Sequence, residues 1–249
     1  MLNIVVPMAG RGSRFATAGY ENPKPLIQVH DMPMIRLVIQ NLRPKEQHKF
    51  IFICQTSHIV EYSLNEKLAE WAPGCEVIGV DGITEGAACT VMLAEKLIDN
   101  ADSLMIANSD QYVNCSIDGY LAKMAGFDGL IMTMTADDPK WSFVGFDDGG
   151  RVARVVEKQV ISTEATVGIY NFKSGSEFVA GAKAMIDAQD RVNGEYYVAP
   201  VYNYLISEGA AIGIYNIGSE AHGMYGLGIP DDLNLFLNHP ISAAARLPA

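Results

Sequence analysis

The chain has 249 residues, 49% of them apolar, which fits one compact globular unit. Acidic residues outnumber basic ones by 29 to 18, and the net charge of −11, without any Lys/Arg run, excludes a nucleic acid as partner. The four cysteines form no C-x-x-C pair, which argues against a zinc ribbon or a disulfide framework and favours a cytoplasmic protein. No apolar run approaches the ~20 residues that span a bilayer, so no membrane partner is expected.

The first half of the chain alternates predicted strands with predicted helices. Short runs rich in apolar and β-branched residues predict strands at 2–7, 50–53, 76–80 and 103–107. Helical spacing of apolar residues predicts helices at 34–42, 59–71 and 87–98. This rhythm predicts a doubly wound, mostly parallel, Rossmann-like α/β sheet with functional loops at the carboxyl ends of its strands.

The rhythm changes after Asn114. Strands are predicted at 129–135, 142–146, 152–157 and 166–172, separated by turn signals, and helices at 176–189 and 196–208. These pieces indicate a mixed sheet that extends the first one. Because no linker or repeat interrupts the sequence, we expect a single domain over 1–249, with a nucleotide-binding half at 1–115 and an acceptor-binding half at 116–249.

A glycine-rich loop follows the first strand. It reads Ala9-Gly10-Arg11-Gly12-Ser13-Arg14. Its glycines permit positive φ and let backbone N–H groups approach a polyphosphate, to which the Arg14 guanidinium can donate. The loop is neither a Walker A motif, since no G-K-[ST] follows, nor a good dinucleotide fingerprint, since Phe15 stands at the third small position. It predicts a triphosphate site, with an ordinary turn as the alternative.

The loop continues into Asn22-Pro23-Lys24-Pro25-Leu26 and Pro33-Met34-Ile35. This series resembles the nucleotidylyltransferase superfamily typified by glucose-1-phosphate thymidylyltransferase, which has a G-x-G-[ST]-R-[FL] loop, a Lys-Pro-Leu step and a Pro-Met-Ile helix start in the same order. The resemblance implies the nucleotide-diphospho-sugar transferase fold. It also implies transfer of a nucleotidyl group from an NTP to a phosphorylated small molecule, such as a sugar 1-phosphate, with release of pyrophosphate. In relatives the products of this reaction are used in surface-polysaccharide assembly.

Three catalytic residues are implied by the resemblance. Arg14 and Lys24 would contact the phosphates of the NTP, and the two prolines around Lys24 fix its backbone. Asp110 follows Ser109 at the end of a predicted strand and matches the family's metal ligand, a hard oxygen donor suited to Mg²⁺. A turn or helix-cap role is the alternative for such a strand-end carboxylate.

A second predicted loop, from Asp81 to Thr90, resembles the family's base-binding segment, in which Gly86-Ala87 would begin the helix that faces the nucleobase. Asp81 stands where thymidylyltransferases carry Gln. A carboxylate only accepts hydrogen bonds, so it favours a base with a donor edge, such as cytosine or guanine, over thymine. The alternative is that Asp81 shapes an Asp-Gly turn.

Acceptor recognition is predicted in the second half. Glu157-Lys158 and the strand containing Gly168 resemble segments that hold the phosphorylated acceptor in relatives, with Lys158 on the phosphate and Glu157 on hydroxyl or amine groups. Glu195 belongs to an acidic-aromatic segment that closes the acceptor pocket in relatives. A surface ion pair is the alternative for Glu157 and Lys158. Trp141 departs from the family's Tyr-Gly step, which indicates an acceptor other than a hexose 1-phosphate.

The sequence also lacks a carboxylate that the family usually has. Gly226 stands where relatives carry a second metal-binding Asp. Either Asp110, phosphates and water hold the metal, or a neighbour such as Asp231 compensates, or activity is impaired. Asp231 and Asp232 follow Pro230 and are more simply explained as first-turn residues of a helix.

Two other functions fit part of this pattern. A glycosyltransferase of the related fold would use Asp110 for its metal, but would leave Arg14 and Lys24 without terminal phosphates to bind. A catalytically silent nucleotide-binding module would explain Gly226. The favoured partners are an NTP and a phosphorylated small molecule, and the sequence is compatible with a homo-oligomer.

Overall fold

The computed structural model describes residues 1–245. The strands of this range, β1 to β13 in chain order, are Leu2–Pro7, Gln28–Val29, Met32–Pro33, His48–Gln55, Glu76–Val80, Ser103–Ala107, Gln111–Val113, Gly129–Thr135, Ser142–Phe146, Val152–Glu157, Glu164–Phe172, Ile212–Glu220 and Gly223–Gly226. Its α-helices, α1 to α11, are Ser13–Thr17, Met34–Leu42, Thr56–Tyr62, Leu64–Trp71, Ala87–Met92, Glu95–Ile98, Ile117–Leu121, Gly175–Asp187, Val201–Ser207, Pro230–Asn238 and Ile241–Ala244. None of these helices is long and apolar enough to cross a membrane.

One continuous sheet joins eleven of the strands in the described range, while β2 pairs with β3 apart from it. Strands β5, β4, β1 and β6 lie side by side and are parallel. The next strand, β11, is antiparallel to β6 and leads to β8, β12, β13 and β7, while β9 and β10 attach beside β11. The predicted doubly wound α/β sheet with a mixed extension is confirmed, and the two parts form a single sheet.

The central strands are buried on both faces. Successive side chains of a strand point to opposite faces. In β1, Ile4 and Val6 pack into one apolar cluster and Val5 packs into a second cluster on the other face, and all three are 0% exposed. Helices cover both faces, as the continuous apolar run of β1 indicates. The edge formed by the carboxyl ends of the strands is therefore where loops can form a site.

A third apolar cluster attaches α10 to the glycine-rich loop. Phe15 of α1 is buried in it together with Leu233 and Phe236 of α10. The bulky residue at position 15, which spoils a dinucleotide fingerprint, thus serves as an apolar anchor. The cluster holds the beginning of α10 near the carboxyl edge of the sheet.

Three predicted helices differ from those observed. The helix predicted at 59–71 is divided into α3 and α4, because Ser63 has a left-handed backbone with φ of 51°. The helix predicted at 87–98 is divided into α5 and α6, since Leu93 and Ala94 donate to carbonyls three residues back and tighten the chain there. The helix predicted at 196–208 begins only at Val201, because the backbone of Tyr196 bonds to another loop.

Candidate active site

Two strand ends meet at one cavity. β1 ends at Pro7 and the neighbouring parallel strand β6 ends at Ala107, so the segments that follow them lie side by side. The cavity between these segments, of about 360 Å³, is named here the strand-end cavity. The residues that line it include seven of the predicted nucleotide-site residues: Ala9, Gly10, Lys24, Gly86, Ala87, Ser109 and Asp110.

Lys24 and Asp110 are in direct contact in this cavity. The Lys24 ammonium donates to Oδ2 of Asp110 over 2.7 Å, and the two side chains are 21% and 25% exposed. Lys24 begins a 3-10 turn, Lys24–Leu26, whose backbone is stiffened by Pro25. The two residues are 86 positions apart in sequence, so the tertiary structure brings them together. Both charged groups lie at the cavity wall. There Lys24 can contact a phosphate, and Asp110 a cation, in place of their contact with each other.

The charged part of the glycine-rich loop lies outside the cavity lining. Gly12 has φ of 60° and precedes α1, and a Cβ on it would approach the Cβ of Lys24 to 3.2 Å. Arg11, Ser13 and Arg14 are exposed to solvent. Arg14 therefore does not converge with Lys24 and Asp110 on the cavity wall in this structure. Its role at the phosphates stays a prediction.

The predicted base-binding loop forms another wall. Ile83 and Thr84 line the strand-end cavity, whereas Asp81 is exposed and lies outside the lining. The Gln55 side chain donates hydrogen bonds to the carbonyl oxygens of Ala9 and Gly82, and its distance to the Gly82 oxygen is 2.7 Å. These two bonds connect the base-binding loop to the glycine-rich loop. Sequence reasoning missed Gln55, although its position as the polar last residue of β4 was a signal. The base contact of Asp81 stays a prediction, with the turn as its alternative.

Gly86 allows the base-side loop to touch the acceptor-side loop. Its φ and ψ of 132° and 174° lie in a region that only glycine occupies readily. A Cβ at this position would lie 2.4 Å from the Tyr196 carbonyl oxygen. Two backbone hydrogen bonds join the loops, from Tyr196 N–H to Glu85 O at 2.8 Å and from Ala88 N–H to Tyr196 O at 3.0 Å. This junction places Glu195 on the wall of the strand-end cavity.

A second cavity adjoins the first and shares Pro7, Ala87 and Asn108 with it. It has a volume of about 260 Å³ and is named here the aromatic cavity, for its lining residues Trp141, Tyr170 and Tyr197. Two predicted acceptor residues, Glu157 and Gly168, also line it. Because the two cavities share part of their walls, ligands in them would lie next to each other.

Asn108 forms the partition between the cavities, and sequence reasoning missed it. Gly168 has φ of 79°, and a Cβ there would lie 2.0 Å from Nδ2 of Asn108. The Asn108 N–H also donates to the Gly168 carbonyl oxygen over 3.1 Å. The absence of a side chain at position 168 thus lets the side chain of Asn108 fit between the two cavities. The position of Asn108 directly after β6 was the signal in the sequence that could have identified this residue.

Lys158 borders the aromatic cavity through Tyr197. Its ammonium donates to the Tyr197 hydroxyl over 2.7 Å and lies 4.9 Å from the centroid of that ring. The hydroxyl contact raises the pKa of Lys158 above its ordinary value. Its backbone has φ of 55°, a strained value for a residue with a side chain. The structure does not pair Lys158 with Glu157 in an ion pair within residues 1–245, so the surface-pair alternative is not supported.

Glu157 is a buried carboxylate at the wall of the aromatic cavity. It is 8% exposed and accepts a short hydrogen bond from the Ser142 hydroxyl. Burial raises its pKa above the ordinary value, and the Ser142 bond and the charge of Lys158 oppose this. The charged form is therefore costly here unless a cation or further donors approach it. This carboxylate can accept hydrogen bonds from hydroxyl or ammonium groups of a ligand.

Carboxylates near Asp110 are few. Residues 1–245 contain no group of three or more His, Cys, Asp or Glu side chains arranged to hold a metal ion. The backbone of Gly228 lies close to the Asp110 carboxylate, since a Cβ on Gly228 would lie 2.6 Å from Oδ2 of Asp110. Mg²⁺ needs only one or two carboxylates when phosphates and water complete its shell. The residues present therefore fit a cation that arrives with phosphates.

Comparison with known proteins identifies the family of this chain. The family model described as Nucleotidyl transferase matches residues 4–198, which include both cavities' predicted residues from Ala9 to Glu195. The chain belongs to the nucleotidyl transferase family. Among curated proteins, none has a significant sequence match to it.

Three solved structures have a similar fold. This nucleotidyl transferase is 26% identical to the nucleoside-diphosphate-sugar pyrophosphorylase from Vibrio cholerae RC9, with a TM-score of 0.81 over 95% of this chain and 100% of that one. A putative glucose-1-phosphate thymidylyltransferase from Bacillus anthracis, solved with a sucrose, is 18% identical with a TM-score of 0.77, over 99% and 96% of the two chains. The inositol-1-phosphate CTP transferase from T. maritima is 14% identical with a TM-score of 0.73, over 98% and 94%. The fold expected from the resemblance, that of nucleotide-diphospho-sugar transferases, is confirmed.

Proposed function

We propose that this nucleotidyl transferase joins an NMP to a phosphorylated small molecule, with the NTP in the strand-end cavity and the acceptor in the aromatic cavity. The observation that carries the proposal is the shared wall of the two cavities, with Lys24 and Asp110 on one side and Glu157 on the other. Two polyanions must be held side by side for such a transfer, and alignment supplies a large part of the rate.

The reaction is an in-line displacement. A phosphate oxygen of the acceptor forms a bond to the α-phosphorus of the NTP, and the bond from that phosphorus to the bridging oxygen of the β-phosphate breaks. Pyrophosphate leaves with the electron pair. A phosphate monoester is already a nucleophile, so the side chains need only orient the reactants and neutralise charge.

The positions of Lys24, Asp110 and Glu157 on the cavity walls support the roles proposed for them, and the roles of Arg14 and Lys158 rest on the resemblance. Lys24 exchanges its contact with Asp110 for the α-phosphate or the leaving pyrophosphate, and Arg14 approaches the terminal phosphates from α1. Lys158 holds the acceptor phosphate, and Glu157 accepts from its hydroxyl or ammonium groups. A Mg²⁺ ion held by Asp110 would neutralise the charge of the triphosphate.

The base and the acceptor are also proposed. Asp81, as an acceptor of hydrogen bonds, favours cytidine over thymidine. Trp141 and Tyr197 leave an aromatic cavity of about 260 Å³, which favours a small acceptor, either a sugar phosphate or a phosphorylated polyol or amino-alcohol. By resemblance, the product would serve surface-polysaccharide assembly in the cytoplasm.

The experiment is a matrix of the four NTPs against phosphorylated sugars, polyols and amino-alcohols, with pyrophosphate as the readout. We expect release with at least one pair, dependent on Mg²⁺ and on the acceptor, and abolished in Asp110→Asn. Turnover of a finished nucleotide sugar without pyrophosphate would instead support a glycosyltransferase. Nucleotide binding without turnover for any pair would support a silent module, for which Gly226 is the motivating feature.

A further inference from the structure

The wall shared by the strand-end cavity and the aromatic cavity is formed, within residues 1–245, by Pro7, Ala87 and Asn108. Of these three residues, Asn108 alone has a polar side chain. Asn108 is exposed, whereas its neighbours Ala107 and Ser109 are buried. The Asn108 amide is therefore the group on this wall whose side chain can form hydrogen bonds to ligands in both cavities.

The proposed nucleotidyl transfer would take place at this shared wall. In that reaction a phosphate oxygen of the acceptor, in the aromatic cavity, forms a bond to the α-phosphorus of the NTP, in the strand-end cavity. Lys24 and Asp110 line the strand-end cavity and not the aromatic cavity, whereas the reverse holds for Glu157. Each of these charged groups is therefore placed for one substrate. The phosphoryl group that is transferred lies between the substrates, on the side of Asn108.

The direction of the Asn108 amide is set by two neighbours. Gly168 has a left-handed φ of 79°, and a Cβ on it would lie 2.0 Å from Nδ2 and 3.1 Å from Oδ1 of Asn108. Nδ2 is therefore the amide atom nearest to Gly168, which lines the aromatic cavity. Nδ2 also donates a long hydrogen bond, over 3.4 Å, to Oε1 of Gln111. Because this nitrogen carries two hydrogens, one N–H can donate to a ligand while the other keeps its bond to Gln111.

Gln111 is unfavourable at its position for packing alone. Its side chain is buried, and its Nε2 has no hydrogen-bond partner within the described part of the chain, residues 1–245. A buried amide nitrogen without a partner is costly, and buried polar side chains are normally paired. The contact of its Oε1 with Asn108 gives this glutamine a role that an apolar side chain could not fill.

We propose that Asn108 is a catalytic residue whose Nδ2–H donates to a non-bridging oxygen of the α-phosphate during transfer, and that Gln111 is a positioning residue for this amide. The proposal rests on the proposed nucleotidyl transfer. Donors held in place at the charge that develops in a transition state supply a large part of many enzymatic rates. A neutral amide suits this position, because it binds the attacking oxygen of the acceptor less tightly than a charged donor would. No proton moves to or from Asn108.

The test separates kcat from KM, with the NTP and acceptor that give the highest rate of pyrophosphate release in the substrate matrix. Asn108→Leu keeps a side chain of similar volume and removes the donor. We expect kcat to fall by about 100-fold, the scale of losing one transition-state donor. KM for each substrate should change by less than about 3-fold, because the contact is made mainly in the transition state. A fall in kcat of less than about 5-fold would overturn the proposal.

Asn114→Leu is the matched control. Asn114 is also an exposed asparagine directly after a strand, β7, but it lines neither cavity. We expect its kcat and both KM values to stay within about 2-fold of the original. An equal fall in kcat in the two variants would overturn the proposal.

Gly168→Ala tests the place of the amide independently. Its Cβ would lie 2.0 Å from Nδ2 of Asn108 and would displace the amide. We expect kcat to fall by about 10-fold or more in the original chain, but by less than about 3-fold when Gly168→Ala is added to Asn108→Ala, because the amide is then absent. Thermal unfolding checks that each variant is folded. Additive effects in folded variants would overturn the proposal.

Gln111→Leu provides a second test that leaves the backbone unchanged. It removes the contact with Asn108 and the unpartnered Nε2 together, so kcat should fall by about 3- to 10-fold, the scale of one neutral hydrogen bond, without a loss in Tm. The same change should have no further effect on kcat in Asn108→Leu. A loss in Tm with unchanged kcat would show a merely structural role and overturn the assignment of Gln111.

The outcomes for the proposed function and for Asn108 are distinct. If the unmodified chain releases no pyrophosphate with any substrate pair, the proposed function and the role of Asn108 are both overturned. If Asn108→Leu keeps the full rate, the role of Asn108 is overturned and the proposed function stands.

Discussion

The contact between Gly86 and Tyr196 gives a prediction that the structure makes quantitative. Gly86→Ala would place a Cβ 2.4 Å from the Tyr196 carbonyl oxygen in a backbone region that only glycine adopts readily. The strain of that region costs about 1–3 kcal/mol. Moving the loops apart also breaks the two backbone hydrogen bonds between them, worth about 1 kcal/mol each. We therefore expect the free energy of unfolding to fall by about 3–5 kcal/mol.

Gly82→Ala is the matched control on the same loop. Gly82 has φ of 83°, but a Cβ there would meet nothing within 4 Å. Only the left-handed backbone then opposes the substitution, at about 1–2 kcal/mol. Urea unfolding followed by circular dichroism gives both values. In a chain of this size, 1 kcal/mol corresponds to about 2–4 °C in Tm, so we expect a loss of about 6–20 °C for Gly86→Ala and about 2–8 °C for Gly82→Ala.

The comparison of the two variants decides the argument. If Gly86→Ala loses no more stability than Gly82→Ala, the close approach of the two loops is not a native contact. A second consequence is kinetic, since Gly86 and Glu195 both line the strand-end cavity. Gly86→Ala should therefore also raise KM for the NTP, whereas Gly82→Ala should leave it within about 2-fold.

Three further predictions concern charged groups. Lys24→Met should lower kcat/KM by about 100-fold or more. It should change Tm by only a few degrees, because the partly exposed ion pair of Lys24 with Asp110 is worth at most about 1 kcal/mol. A parallel loss of stability and activity would contradict this prediction. Burial raises the pKa of Glu157 above its ordinary 4.5, so the native chain binds this proton more tightly, and the free energy of unfolding should fall as pH rises from 4.5 to the raised pKa. Glu157→Gln should remove that fall in urea unfolding at a series of pH values, and identical pH profiles would refute it. Lys158→Met should raise KM for the acceptor while leaving KM for the NTP unchanged in steady-state assays, and the reverse pattern would reassign Lys158.

Much of the site could be predicted because it lies at strand ends. In a parallel sheet the carboxyl ends of neighbouring strands meet at one edge, so a Lys-Pro step after β1 and an Asp after β6 were expected to be close, and the ion pair of Lys24 and Asp110 agrees with this. Gly86 and Gly168 were expected at the base and acceptor sites, but neither their backbone geometry nor the groups that approach them could be predicted. The place of Arg14 could not be predicted in this way, because its position in the glycine-rich loop does not bring its side chain to the lining of the strand-end cavity.

The sequence by itself determined the alternation of strands and helices, the buried character of β1 and the loops that carry Lys24 and Asp110, because these depend on apolar periodicity and on glycine and proline within a few residues. Tertiary structure alone decided that Tyr196 binds a distant loop instead of starting a helix, that Asn108 fits over Gly168, and that Asp232 rather than Asp231 stands beside Gly226. Contacts of this kind join residues far apart in the chain, and their energies depend on distances that no local pattern encodes. The side of α10 that faces Gly226 is set by the packing of its apolar side, Leu233 and Phe236 against Phe15.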